Sequence, residues 1–495
     1  MTHVIRIHTQ DGTRTAVAND GEILLSALSR AGAVVSAPCG GRGRCGKCAV
    51  RAEGNFEIMP SEDSKPLEPG YTLSCRARVR GDADVYLTES ETSILAGGRV
   101  SEFETDGEAG YGVAVDIGTT TVAAYLLNLK TGKTEALRTM LNPQRGHGAD
   151  VISRLTYAME SPENARLLQK EILRAIHEMT TDMLMERGIA QSVVGRAFVG
   201  NTVMMHLAGG YPVRSLAAAP FTPYYVKAHN AALDGTSALL GGCISGYVGA
   251  DTVAAALACD LDRAEETSLL IDIGTNGEIV LTHKGRFVSC SCAAGPAFEG
   301  AHIACGTGAV RGAIDHARME DGKIAFSTIQ NAEATGICGS GLIDLIALLA
   351  DEGEISPVGR MTEDVYLTDR VYLARADIRE VQLAKSAIAS GISILIEVMG
   401  IRAEDVQRVY VAGGFGNYIN IENACKIGML PKQFMGKIEF VGNAAGDGAK
   451  RMLLSASMRA RAEEIREKTE YIELASHPSF ADLYADNLIF GDDEL

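Results

Sequence analysis

Four cysteines in this chain have a spacing that suits metal chemistry. Cys39, Cys45 and Cys48 lie in PCGGRGRCGKC and Cys75 in TLSCRARV, giving Cys-x5-Cys-x2-Cys followed by a distant fourth thiol. A [2Fe–2S] cluster needs four converging thiolates, and a glycine-rich loop can deliver three of them from one turn while aiming its amides at the sulfides. Two disulfides or a zinc site are the alternatives. Zinc sites more often use two Cys-x2-Cys knuckles than the single one present here. Arg42, Arg44 and Lys47 lie within the loop, and Arg76, Arg78 and Arg80 follow Cys75. These six cations either are solvated or offset the cluster's negative charge, or they form a basic docking face for an acidic redox partner.

A second chemistry is written twice. GVAVDIGTTTVAAYLLNLKTGK (112–133) and SLLIDIGTNGEIVLTHKGR (268–286) each run apolar strand, Asp-Ile-Gly-Thr, apolar strand, with Asp116 and Asp272 156 positions apart. In dinucleotide-binding and P-loop folds the glycine turn enters a helix, whereas here it enters another strand. A hairpin tip of Gly118, Thr119 and Thr120, or of Gly274, Thr275 and Asn276, can offer amides and a hydroxyl to phosphate oxygens. An Asp at the strand end can hold Mg2+ through water. One such hairpin is weak evidence, because buried strands often end in Asp-x-Gly; two facing each other make a phosphate clamp.

The elements that must position these residues follow from local pattern. VIRIHT, an Asp-Gly turn and TRTAVA predict a hairpin; GEILLSALSRAG predicts a helix capped by Asp20; CAVRAEG and DVYLTES predict further strands. Residues 91–109 lack periodicity, carry five acidic residues and read as a linker. The expected division is therefore 1–90, a linker 91–109, a first lobe 110–265 and a second lobe 266–495.

The 495 residues are 46% apolar, enough for several packed cores. Forty-six Lys and Arg stand against 63 Asp and Glu, a net charge of −17 that argues against nucleic-acid or anionic-membrane binding. The first 100 residues hold 12 basic and 12 acidic side chains, so the whole excess lies beyond them. No run of about 18 apolar residues predicts a membrane span. The start, MTHVIRIHTQDG, lacks a basic and apolar leader, so the eleven cysteines are expected in a reducing cytoplasm. The seven cysteines outside the spaced set are expected to be buried small residues, with Cys290 and Cys292 on opposite faces of a strand.

The first 90 residues resemble the β-grasp ferredoxins, nearer the adrenodoxin-like branch by cysteine spacing. The tandem hairpins resemble the duplicated actin-like ATPase fold (ASKHA, ribonuclease H-like). The fold class expected is thus α+β followed by two-lobed α/β. GYVGADTVAAALACDL (246–261) and VGNAAGDGAKRMLL (441–454) then correspond to the two connecting helices. VYVAGGFGNYI (409–419) corresponds to the adenosine motif, in which Gly413, Gly414 and Phe415 would face the nucleoside; standing alone, it could be a tight turn. Asp251 occupies the place where the 70-kDa chaperone motif has a water-orienting Glu. With Asp116 and Asp272 it would surround Mg2+ and the γ-phosphate; the alternative is a helix-capping Asp.

NPQRGHGADVISRL (142–155), FVGNTVMMHLAGG (198–210), CSCAAGPAFEGAHIACG (290–306), TGICGSGLIDLI (335–346) and AGGFGNYINIENACKIGMLP (412–431) extend the likeness over the whole chain. Together they resemble the ATP-dependent reductive activators of corrinoid proteins. That resemblance implies a homodimer that receives electrons from a low-potential donor and returns the corrinoid protein of a methyltransferase system from Co(II) to Co(I), using a [2Fe–2S] cluster, ATP and Mg2+. A small-molecule kinase with a redox-sensing ferredoxin domain is the alternative, and an ATP-driven binding module or chaperone a third.

Overall fold

A computed structural model describes residues 2–9, 12–31, 33, 35, 48–60, 67, 69–87, 103–274, 276–413 and 419–491. Cys39, Cys45, Arg42, Arg44, Lys47, Thr275, Gly414, Phe415 and most of the expected linker lie outside these residues.

The N-terminal module is a mixed five-stranded sheet. Its strands β1 (Thr2–Thr9), β2 (Gly12–Asn19), β3 (Ala49–Ile58), β4 (Tyr71–Leu73) and β5 (Ala77–Tyr86) pair in the order β2-β1-β5-β3-β4. Strand alternation sends Ile5 and Ile7 inward with Ala16, Ala18, Val79 and Val85. Helix α1 (Leu24–Arg30) adds Leu24 and Leu28 to that core. Asp20 is not its cap. The Asp20 carboxylate accepts hydrogen bonds from His3 Nε2 at 2.9 Å and from an Arg80 NH group at 2.7 Å, which diverts it across the sheet.

The rest of the chain repeats one sheet plan. In the first lobe, β6 (Tyr111–Ile117), β7 (Thr121–Asn128), β8 (Thr134–Leu141), β9 (Gly195–Gly200), β10 (His229–Leu233) and β11 (Thr236–Leu240) pair as β10-β11-β9-β6-β7-β8. Helices α2 (Val151–Glu160), α3 (Pro162–Glu186) and α4 (Thr202–Gly209) cover it. Helix α5 (Ala250–Ala258) then leads into the second lobe, whose first strands are β12 (Ser268–Ile273), β13 (Gly277–His283) and β14 (Arg286–Cys292).

A small sheet of β15 (Ala313–Glu320), β16 (Lys323–Thr328) and β17 (Gly336–Ile337) follows, then α6 (Gly339–Asp351) and the short pair β18 (Val365–Tyr366) and β19 (Tyr372–Leu373). Next come α7 (Arg375–Met399), β20 (Arg408–Ala412), α8 (Ile421–Lys426), β21 (Ile438–Gly442), α9 (Ala444–Leu454), α10 (Ala456–Lys468), β22 (Thr469–Tyr471) and α11 (Phe480–Asp486). The second large sheet runs β21-β20-β12-β13-β14-β22. In both lobes an antiparallel three-strand meander is flanked by a strand parallel to its first member: β9 beside β6, β20 beside β12.

Helices α9 and α10 return to the first lobe, where Ala445, Ala449, Met452, Met458 and Ile465 join its core. α9 crosses α5 so closely that a Cβ on Gly448 would stand 2.0 Å from the Ala254 carbonyl oxygen. Only glycine permits that approach. Helix α7 is long and apolar enough to cross a membrane, yet most of it is buried in the second core.

Cys243, Cys290, Cys292, Cys338 and Cys425 are buried as expected, while Cys259 and Cys305 are partly exposed. Cys290 and Cys292 share one face of β14, because residues two apart on a strand point the same way. A Cβ on Gly391 of α7 would lie 2.4 Å from the Cys292 sulfur and 3.3 Å from that of Cys290.

Candidate functional site

The first hairpin turns through Gly118, Thr119 and Thr120, between the paired Ile117 and Val122 ends of β6 and β7. Three successive carbonyls of the tip are tied back into the lobe. Asn142, just past β8, donates from Nδ2 to Gly118 O at 2.8 Å and from its backbone N–H to Thr120 O at 2.9 Å. The Arg154 guanidinium donates to Thr119 O. In a planar trans peptide the N–H points opposite to the carbonyl, so the Thr119 and Thr120 amides face away from Asn142 and Arg154. Such successive outward amides form an anion-binding concavity. A Cβ on Gly118 would stand 2.5 Å from Thr121 O, which fixes glycine at the turn.

The hydroxyls have other engagements. Thr119 Oγ1 points inward and accepts from Asn201 Nδ2 at 2.9 Å, while Asn201 also caps α4 through Met204 N–H. Thr120 Oγ1 donates to Glu299 Oε2 at 2.8 Å. Glu299 lies in the 3-10 turn Ala297–Glu299 after β14, so this bond links the first hairpin to the second lobe.

In the second hairpin, Asp272 pairs in register with Glu278, and Gly274 N–H donates to Asn276 O at 3.2 Å across the tip. Gly413, at the end of β20, has φ +100°. A Cβ there would lie 2.6 Å from Ile273 O and 3.0 Å from Asp272 Oδ1. Glycine is thus demanded twice, by the backbone and by the approach of β20 to the base of the hairpin.

The structure brings Asp116, Asp251 and Asp272 into one electrostatic neighbourhood. Burial, then the Asp251 charge, pushes the Asp116 carboxyl up to about 7. Asp272 is likewise raised to about 7 by burial, then by Asp251 and Glu299. Burial raises Asp251 to about 6 against a hydrogen bond from Thr252 N–H at 2.8 Å. Asp251 lies in the first turn of α5, whose N-cap is Gly249, so it does not cap the helix. Glu278 is pushed upward too, by burial and then by the same Asp charges.

Anionic groups held short of water invite a cation. Among the described residues no three His, Cys, Asp or Glu side chains converge closely enough to grip a metal directly. Asn443, the N-cap of α9, donates to Asp116 Oδ2 at 2.9 Å while its Oδ1 accepts from Gly446 N–H at 2.7 Å. This residue from the second connecting helix orients the first hairpin's carboxylate, and no local sequence signal announces it.

In the N-terminal module, Cys48 and Cys75 are buried with their sulfurs 3.2 Å apart. That separation is too long for a disulfide bond between them and near the ~3.7 Å expected for two thiolates on one tetrahedral metal. Ser74 holds the two segments together, donating from N–H and Oγ to Cys48 O at 3.0 and 2.9 Å. This donor pair fits a thiolate-ligated cluster. Of the flanking cations, Arg80 is paired with Asp20 and Glu57, and Arg78 donates to Gly21 O at 3.0 Å. Both serve the module's own scaffold.

Fold and site together define a β-grasp iron–sulfur module joined to a duplicated, two-lobed actin-like body. Residues 7–80 match the 2Fe-2S iron-sulfur cluster binding domain, residues 111–264 the RACo middle region, and residues 266–495 the C-terminal domain of RACo, the ASKHA domain. The corrinoid activation enzyme RamQ of Eubacterium limosum is 34% identical over 458 residues, covering 83% of this chain and 77% of the relative. A Co(II) methylated amine-specific corrinoid protein reductase of Methanosarcina barkeri is 27% identical over 425 residues, 76% of each. The solved structure of a reductive activator for corrinoid, iron-sulfur protein superposes with a TM-score of 0.70 and 27% identity over 98% of both chains. The chain belongs to the RACo family, with an N-terminal iron–sulfur domain and a nucleotide-binding ASKHA body.

Proposed function

We propose that this protein reactivates a corrinoid protein of a methyltransferase system, converting Co(II) to Co(I) at the expense of ATP. The observation that carries this reading is the joining, in one chain, of buried paired cluster thiols to two opposed phosphate hairpins. The cluster held by Cys39, Cys45, Cys48 and Cys75 supplies, when bound, the single electron that the cobalt accepts. A one-electron step changes its equilibrium tenfold for about every 59 mV, so an uphill transfer of a few tenths of a volt needs a coupled source of free energy. ATP supplies it by closing the lobes and selecting the complex in which cobalt is most readily reduced.

In this reading, Gly118, Thr119, Thr120, Gly274, Thr275 and Asn276 cradle phosphates, and Gly413, Gly414 and Phe415 lie along the nucleoside. Asp116, Asp251 and Asp272 hold hydrated Mg2+ and orient the attacking water. The working units are 1–90, the linker 91–109 and the lobes 110–265 and 266–495; a separate apolar core supports the first unit, while the first-lobe core also takes in Phe103 and side chains of α9 and α10. The protein is a cytoplasmic homodimer recharged by a low-potential electron donor.

Phosphate release by the anaerobic, cluster-loaded protein tests the reading, with and without a Co(II) corrinoid protein. Slow release that rises when the corrinoid protein is added is the expected result. Full turnover with a small molecule alone, and a phosphorylated product, would establish the kinase alternative instead.

A further inference from the structure

Arg154 is one of the largest fully buried side chains in the protein, with 0% exposure. Its Nε donates to Gly148 O at 2.9 Å, one NH group reaches the Met204 sulfur at 3.0 Å, and the other reaches Thr119 O at the phosphate hairpin. Among the described residues no carboxylate lies within ion-pair distance of it. Burial, then the like charge of Arg145, lowers its pKa to about 9. Isolated buried charges are strongly disfavoured unless an opposite charge answers them.

Asp150, Glu299 and Glu171 answer it only from beyond ion-pair distance. One peptide's thickness away, the Thr119 and Thr120 amides face outward as an anion site; the guanidinium holds the Thr120 amide in that orientation by anchoring Thr119 O, as Asn142 holds the Thr119 amide through Gly118 O. We infer that Arg154 is a positioning residue for the nucleotide phosphates: it fixes the outward Thr120 amide of the first hairpin and backs the tip with a buried positive charge. This rests on the ATP-binding reading above and extends it to a residue that does not touch the nucleotide. Asn142, also 0% exposed, does the uncharged half of the same work on Gly118 O and Thr120 O.

The test is calorimetric binding of ATP, ADP, AMP and adenosine to the full chain, comparing Arg154→Met, Arg154→Lys and Asn142→Ala with the unaltered protein. Arg154→Met should weaken ATP by about tenfold or more, ADP by less, and adenosine by less than about twofold, a grading that follows phosphate charge. Arg154→Lys, which keeps the charge but loses the fork, should recover part of the ATP loss; Asn142→Ala should weaken ATP and ADP alike. If Arg154→Met does not fold, the same grading is required of Arg154→Lys against the unaltered chain. Unchanged ATP affinity, or equal losses for ATP and adenosine, overturns the inference. Absence of ATP binding by the unaltered chain overturns the parent reading instead.

Discussion

Replacing Asp251 by Asn removes a charge while leaving an oxygen to accept the Thr252 N–H bond. The carboxyl rises from 3.8 to about 6 in the folded protein. At about 1.4 kcal/mol for each pH unit, ionising it in the nucleotide-free cleft costs roughly 3 kcal/mol at neutral pH. Partial hydration of the cleft and relaxation around the new amide reduce the expected gain to about 1–3 kcal/mol. The sign follows from linkage: a carboxyl whose folded pKa is raised penalises the fold as pH climbs from about 4 to about 6, and the penalty is constant above. Because burial and then the Asp251 charge raise Asp116 and Asp272 to about 7 each, the window extends to about pH 7.

Asp251→Asn should therefore melt about 2–6 °C above the unaltered protein at pH 8 without Mg2+ or nucleotide, and only about 1–2 °C above it at pH 4.5. Saturating Mg2+ should shrink the difference, since the cation relieves in the unaltered protein what the substitution relieves in the variant. Thermal unfolding across that pH range, with ATP hydrolysis in parallel, reads both sides of the trade. A lower melting temperature at pH 8, or an equal gain at both pH values, would refute the placement of Asp251 in a charge-stressed site.

Three further outcomes are expected. Gly413→Ala, forced to φ +100° and 2.6 Å from Ile273 O, should destabilise the fold by about 1–3 kcal/mol and weaken nucleotide binding, checked by unfolding and calorimetry. Asn443→Ala loses the cap of α9 and the bond to Asp116, so about 1 kcal/mol of stability should go and the midpoint for Mg2+-dependent ATP hydrolysis should move to higher pH. Cys75→Ser should abolish Co(I) formation and the cluster's absorbance while ATP affinity stays within about twofold of the unaltered chain.

The parts of the site that were legible in sequence are those whose chemistry is local. Three of the four spaced cysteines lie between Cys39 and Cys48, each strand-Asp-Ile-Gly-Thr-strand copy is one continuous hairpin, and turn and strand patterns are short-range signals. The groups that finish the site come from far along the chain. Asn443 reaches Asp116 across 327 positions, Glu299 reaches Thr120 across 179, and Asn201 reaches Thr119 across 82. NPQRGHGADVISRL and CSCAAGPAFEGAHIACG mark the family, but which of their side chains tie back a carbonyl is decided by how the lobes fold. Asp20 shows the same limit, since a helix-cap signal yields when His3 and Arg80 stand across the sheet. The placement of Cys290 and Cys292 on opposite faces was an error of period that the strand geometry corrects.

The central claim is that ATP drives one electron from the cluster module to corrinoid cobalt. The most direct measurement is an anaerobic single turnover: prereduced protein mixed with a saturating Co(II) corrinoid protein, with and without MgATP, followed by electron paramagnetic resonance and absorbance. Loss of Co(II) and appearance of Co(I), in equal amounts and matched by oxidation of the cluster, should occur with MgATP and be at least about tenfold slower or less complete without it. Equal Co(I) formation in both arms would contradict the account.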